Sequence, residues 1–346
     1  MNASQTHSLI GGSQNSRLAH HAPAPIKSVY YWGWSTDDDV KTLNFILNLT
    51  TPSGKPQITN LHIFMNFPKN FDEIDQNDPV RALTVCPGSR VFNNRYVECT
   101  PEACCQRTSG CDLYGTIDSQ LNAPVDPKDP SKGSKLNVYG PILQQMRQRG
   151  ISIILSMLGG HGQLGPRTPM TAQGTKKLAQ YFIDFLTKMN WDGIDFDDEY
   201  YRYASGGPDS GPWGAGKTGE IRYMIDLYKA LYDIGHPLGY TFSLPFYGPE
   251  LDLFPGINPY IDYAMDMAYS AYQTPTGGAN LPVSKYVFGI GTDDQANITK
   301  ANIYAEMCKP LDQNRQNYPQ GVMTFGGTWS SALPVINAVS SGLFPK

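Results

Sequence analysis

The chain has 346 residues, 40% hydrophobic and 17% charged, with a formal net charge of −4. No run of Lys or Arg occurs, which argues against nucleic acid and acidic lipid as partners. No stretch reaches the roughly 20 apolar residues of a membrane span, and 21 Tyr, 14 Phe and 5 Trp suit either a large core or a ligand with flat apolar faces, such as a sugar.

Residues 1–24 are polar and lack the apolar centre of a signal peptide, so they read as a disordered tail. Lys27–Trp34 is the first expected strand, and an amphipathic stretch Asp37–Leu49 follows it. Ile58–Phe67 is the second strand. Then comes an insertion of about residues 69–134, too long for an ordinary connection. Five of the six cysteines fall in it: Cys86, Cys99, Cys104, Cys105 and Cys111, with Cys308 far away. Zinc would prefer two CxxC-like pairs, and free thiols leave the clustering unexplained. Disulfides account for both the even count and the density. They point, with the sequons at Asn48 and Asn297, to a secreted protein.

Tyr139–Arg149 is expected to be helical and to end at Gly150. Ile151–Gly160 is a nearly continuous apolar run, as in a parallel strand buried on both faces. Thr171–Met189 carries Leu178, Phe182, Phe185, Leu186 and Met189 at helical spacing. It feeds a fourth strand in the segment Trp191–Tyr200. The helix Thr218–Asp233, strands Gly239–Tyr247, Tyr260–Tyr269 and Lys285–Gly291, and a helical stretch Thr299–Pro310 follow. Strand Gly321–Trp329 and a helix Ala332–Ser341 complete the chain. Eight β runs separated by helical runs, with no change of composition regime, predict an α/β fold: a (β/α)₈ TIM barrel in one domain, residues 25–346. The alternative is an open doubly wound sheet, which would call for a Gly-rich phosphate loop after an early strand. No cofactor is expected.

The fourth strand holds the chemistry. In Asp192-Gly193-Ile194-Asp195-Phe196-Asp197-Asp198-Glu199, apolar Ile194 and Phe196 alternate with Asp195, Asp197 and Glu199. Residues two apart on a strand share a face at about 6.6 Å intervals, so three carboxyls form a column opposite two apolar side chains. Inward-facing acids make poor core packing, because burial strips their hydration and like charges repel. Such a column binds a cation or shares protons in catalysis. Calcium loops of the DxDxDG type place Gly in mid-loop, whereas here Gly193 precedes the column and bulky residues interrupt it. No metal is therefore expected, and proton chemistry is the stronger reading.

These eight residues reproduce the DGxDxDxE signature of glycoside hydrolase family 18, and DGIDFDDEY most resembles its endo-β-N-acetylglucosaminidases of the endoglycosidase H type. Ser156-Met157-Leu158-Gly159-Gly160 resembles the family's SxGG motif on strand three with one extra residue, and Ile261–Tyr269 resembles its strand-six segment. The resemblance implies retaining hydrolysis in which the sugar's own 2-acetamido oxygen attacks the anomeric carbon. Glu199 would be the general acid and base, Asp197 would orient the acetamide, and Asp195 would share a proton with Asp197. Tyr269 would donate its hydroxyl to the acetamide oxygen. On the substrate side stand Asp192, Asp266, Trp329, Tyr247 and Trp32. Of these, Asp192 more naturally braces the strand from the barrel's lower end, and Trp329 could equally be a core residue closing the barrel. The implied partner is a glycan or glycoprotein, bound by a monomer. Chitinase action on chitin and non-catalytic, lectin-like sugar binding on the same barrel are the alternatives.

Overall fold

A computed structural model describes residues 26–31, 36–66, 77–80, 91–92, 95–96, 135–158, 170–197, 217–246, 254–267, 281–292, 299, 301, 320–325 and 334–339. In chain order its strands are β1 (Ile26–Tyr31), β2 (Asn60–Asn66), β3 (Ser152–Leu158), β4 (Gly193–Asp197), β5 (Thr241–Phe246), β6 (Tyr263–Asp266), β7 (Tyr286–Gly291) and β8 (Gly321–Phe325). Each strand pairs in parallel with its sequence neighbour, and β8 closes on β1 with Ile26 opposite Gly321. The result is a closed eight-stranded barrel, the predicted (β/α)₈ architecture. Outside it, Val91–Phe92 and Arg95–Tyr96 form a short antiparallel pair within the expected insertion. The tail 1–24, all six cysteines and most of the Thr299–Pro310 stretch lie outside the described residues.

The main helices are α1 (Thr36–Asn48), α2 (Lys135–Gln148), α3 (Ala172–Met189) and α4 (Lys217–Gly235). Helix α3 shows why these segments fold as they do. Thr171 caps its first turn, accepting the Gly174 amide on its hydroxyl, and Asn190 ends it in a left-handed conformation (φ 57°). Between these caps Leu178, Ala179, Phe182, Ile183, Phe185 and Leu186 make a continuous buried stripe. Helix α2 begins earlier than periodicity suggested and runs through Pro141, whose ring sits on the exposed face. Gly150 terminates that end at φ 89°, where the Gly150 and Ile151 amides return to Arg147 and Met146. Strand β6 begins at Tyr263 rather than at Tyr260, because Asn258–Tyr260 forms a 3₁₀ turn with Pro259 near its start. Lys285 holds that turn by donating to the Asn258 and Ile261 carbonyls. None of the described helices is long and apolar enough to cross a membrane.

Two apolar layers result. One lies between barrel and helices and includes Ile153, Leu155, Phe182, Ile194, Phe196 and Phe242. The other lies within the barrel, where Tyr263, Met265, Met267, Val287 and Met323 pack together. The inner faces of β2–β5 differ: they carry Asn60, His62, Ser156, Asp195, Asp197 and Ser243, all buried. A polar sector in an otherwise apolar interior requires specific hydrogen-bond partners.

Candidate active site

Strand β4 is gripped from outside by aromatics. Phe196 meets Phe182 of α3 edge-on at 5.4 Å and Tyr228 of α4 at 5.6 Å, between ring centroids. Gly193 lets β4 and β5 approach at the lower end, since a Cβ there would fall 2.2 Å from the Thr241 carbonyl oxygen. With Ile194 and Phe196 fixed outward, strand parity turns Asp195 and Asp197 into the barrel, as the alternation predicted. Both are buried, at 0% and 1% exposure, with Ser156 of β3 in register with Asp195 and Leu158 with Asp197.

Asp195 is held from three strands. Ser156 Oγ donates to its Oδ1 at 2.6 Å, and Ser243 Oγ of β5 donates to its Oδ2 at 3.3 Å. His62 Nδ1 of β2 lies 2.6 Å from the same Oδ2. The far nitrogen of His62 is 3.4 Å from the Tyr263 hydroxyl, which also accepts from Asn60 Nδ2 at 2.8 Å. A second tyrosine completes the frame. The Tyr228 hydroxyl donates to the Ser243 carbonyl at 2.6 Å and accepts from the Phe196 amide at 3.3 Å. Between β4 and β5 the ladder covers only Gly193–Thr241 and Ile194–Phe242, and above it Tyr228 bridges the two strands. Burial, and then the charge of Asp195, push the Tyr228 hydroxyl well above its ordinary range. Tyr263 is raised in the same way, by burial first and by Asp195 in addition. Both phenols stay protonated as hydrogen-bonding props.

Two of the expected substrate-side residues fall within the described residues. Asp192 lies just before β4, at the amino end of the strand. There Arg147 of α2 clasps it through Nε (2.9 Å) and Nη2 (2.7 Å), and the Ile153 amide donates to it at 2.9 Å. Barrel active sites lie at the opposite, carboxyl end, so this is a brace. Asp266 has the parity of Ala264, which belongs to the outer layer, and it accepts the hydroxyl of Tyr286, itself in that layer. Glu199, Tyr269, Tyr247, Trp32 and Trp329 lie outside the described residues.

The supporting set His62, Ser243, Tyr263, Asn60, Tyr228 and Arg147 was not singled out by sequence. One signal was available: Asn60 and His62 are two apart in the apolar run of the second strand, so both polar groups share a face. Among the described residues, no group of three His, Cys, Asp or Glu is arranged to hold a metal ion. The arrangement instead offers a buried carboxyl pair on one strand, its lower member fixed by three partners and its upper member the last residue of β4, at the carboxyl end of the barrel.

No model of a known protein family matches the chain. A segment of 193 residues is 28% identical to endo-β-N-acetylglucosaminidase F1 of Elizabethkingia meningoseptica. That match covers 52% of this chain and 55% of the relative, so the chain spans about half the length of that protein. Among solved structures, catalytic domain 2 of the Group II chitinase of Ostrinia furnacalis is similar with a TM-score of 0.55 at 13% identity. The alignment covers 93% of this chain and 97% of that one. The Group IV chitinase of the same insect gives a TM-score of 0.50 at 12% identity, over 92% and 99% of the two chains. At such identities these structures speak for the barrel.

Proposed function

The chain belongs to glycoside hydrolase family 18, and from that membership we infer that it is an endo-β-N-acetylglucosaminidase. It cuts the β-1,4 bond of the N,N'-diacetylchitobiose core of N-glycans. The observation that carries the reading is the pair Asp195 and Asp197, stacked and buried on the inner face of β4 in a closed barrel. The substrate class rests on the DGIDFDDEY segment and on the named activity of the bacterial relative.

In this mechanism the acetamide oxygen of the sugar attacks C1 while the bond from C1 to the leaving oxygen breaks. Glu199 gives its proton to that oxygen, and the product of the step is an oxazolinium ion. Asp197 accepts a hydrogen bond from the acetamide N–H, aiming the oxygen and offsetting the positive charge. Asp195 lies beneath and shares a proton with Asp197. Water then attacks C1 from the face the leaving group vacated and passes a proton to Glu199, while the bond from C1 to the acetamide oxygen breaks and the acetamide re-forms, so configuration is retained. Tyr269 donates to the acetamide oxygen. Secretion, a monomeric state and disulfides in the insertion belong to the same proposal.

The test is incubation with a high-mannose N-glycoprotein and, separately, with chitin oligomers, with products read by mass spectrometry. A protein left carrying one N-acetylglucosamine per site is the expected product, absent with Glu199→Gln. Release of chitobiose from the oligomers alone would make the enzyme a chitinase. Binding of either ligand without cleavage would make it a lectin-like protein.

A further inference from the structure

His62 is fully buried at the heart of the polar sector, yet the hydrolysis described above does not use it. Its Nδ1 is 2.6 Å from Asp195 Oδ2, a separation that places one hydrogen between the two atoms, since two lone pairs would repel there. Its ring is fixed by the opposite nitrogen, which faces Tyr263, and by an edge-on contact between the two rings at 6.4 Å. Among the described residues the titratable groups facing the imidazole are Asp195 from β4 and Tyr263 from β6. Asp197 stands one step higher in the same column, and the neighbouring polar partners Asn60, Ser156 and Ser243 are uncharged.

We propose that His62 is a positioning residue for the hydrolysis: its Nδ1–H pins Asp195 and keeps the proton that Asp195 shares on the side of Asp197. The inference rests on the glycosidase reading. The balance is simple. The hydrogen between Nδ1 and Oδ2 stays with His62 throughout, while a second proton moves between Asp195 and Asp197 as positive charge develops on the acetamide. Because the Nδ1–H occupies one lone pair of Oδ2, and Ser156 takes Oδ1, the second proton is directed up the column. Without the imidazole, Asp195 Oδ2 keeps only the 3.3 Å bond from Ser243, and Asp197 loses the firmly held partner that sets its orientation.

The experiment compares His62→Leu with His62→Asn, whose amide nitrogen falls near the position of Nδ1. Activity is read as release of glycan from a high-mannose glycopeptide, followed by chromatography. His62→Leu is expected to lower kcat roughly tenfold or more with KM nearly unchanged. His62→Asn is expected to recover most of kcat, because its amide nitrogen again donates to Asp195. A folded His62→Leu with wild-type kcat, or a folded His62→Asn as slow as His62→Leu, overturns the proposal. Should the leucine variant fail to fold, ¹⁵N-histidine spectra of the wild-type enzyme decide. The resonance absent from His62→Asn must show a protonated Nδ1 across the active pH range, and an unprotonated Nδ1 overturns the proposal. That spectrum does not depend on turnover, so a wild-type protein inert toward N-acetylglucosaminides would sink the glycosidase reading alone.

Discussion

Replacing Asp192 by alanine separates a bracing role from a substrate contact. The carboxylate takes two charge-assisted bonds from Arg147 and one from the Ile153 amide, and both side chains of the ion pair are 17% exposed. Losing one partner of a fully buried pair costs about 3–5 kcal/mol. The partial exposure here lets water reach the abandoned guanidinium, while the Ile153 amide adds a loss of about 1 kcal/mol. The expected destabilisation of Asp192→Ala is therefore about 3 kcal/mol, read from the urea midpoint with unchanged slope. Arg147→Met should cost less, because the apolar stem is kept and Asp192 retains the Ile153 amide. A double-mutant cycle should return a coupling of about 1–2 kcal/mol. KM of Asp192→Ala should stay at the wild-type value, since the carboxylate lies at the end of the barrel opposite the site. A stability change below about 0.5 kcal/mol together with a raised KM would refute the reasoning.

Gly193→Ala pushes a methyl group against the Thr241 backbone, and it should cost more than ~3 kcal/mol or prevent accumulation of folded protein, as followed by circular dichroism. Asp197→Asn should fold with wild-type stability and still bind sugar, measured by calorimetry, while kcat falls by roughly a hundredfold through loss of acetamide alignment. Tyr228 and Tyr263, whose hydroxyls are raised above the ordinary value, should give no phenolate absorbance in the native state where free tyrosine ionises. Their contribution to stability is complete below the unfolded value, about 10, and is lost as pH climbs from there toward the folded value. Tyr228→Phe should therefore flatten the alkaline fall in stability.

The barrel was legible because its strands obey simple rules. Runs such as Ile151–Gly160 are nearly continuous in apolar residues, and Leu178, Phe182, Phe185 and Leu186 recur at helical spacing along α3. The acid column was legible for a related reason: period two puts Asp195 and Asp197 opposite Ile194 and Phe196, and the aromatic helices around β4 hold that orientation. What holds Asp195 was not, because His62, Ser156 and Ser243 come from strands 133, 39 and 48 residues away in sequence and only barrel closure brings them together. Asp266 shares the parity of Ala264, and Tyr286 as its partner is visible only once β6 pairs with β7. Arg147 as the partner of Asp192 is likewise visible only after α2 packs beneath β3.

The central claim is that the buried acids serve a reaction in which the substrate supplies its own nucleophile. The direct measurement follows the anomeric proton of the first-formed sugar by NMR, using matched β-glycosides that carry either a 2-acetamido or a 2-hydroxyl group. The account predicts cleavage of the acetamido compound alone, with the β anomer appearing before mutarotation. Comparable cleavage of the 2-hydroxyl compound, or first appearance of the α anomer, would contradict it.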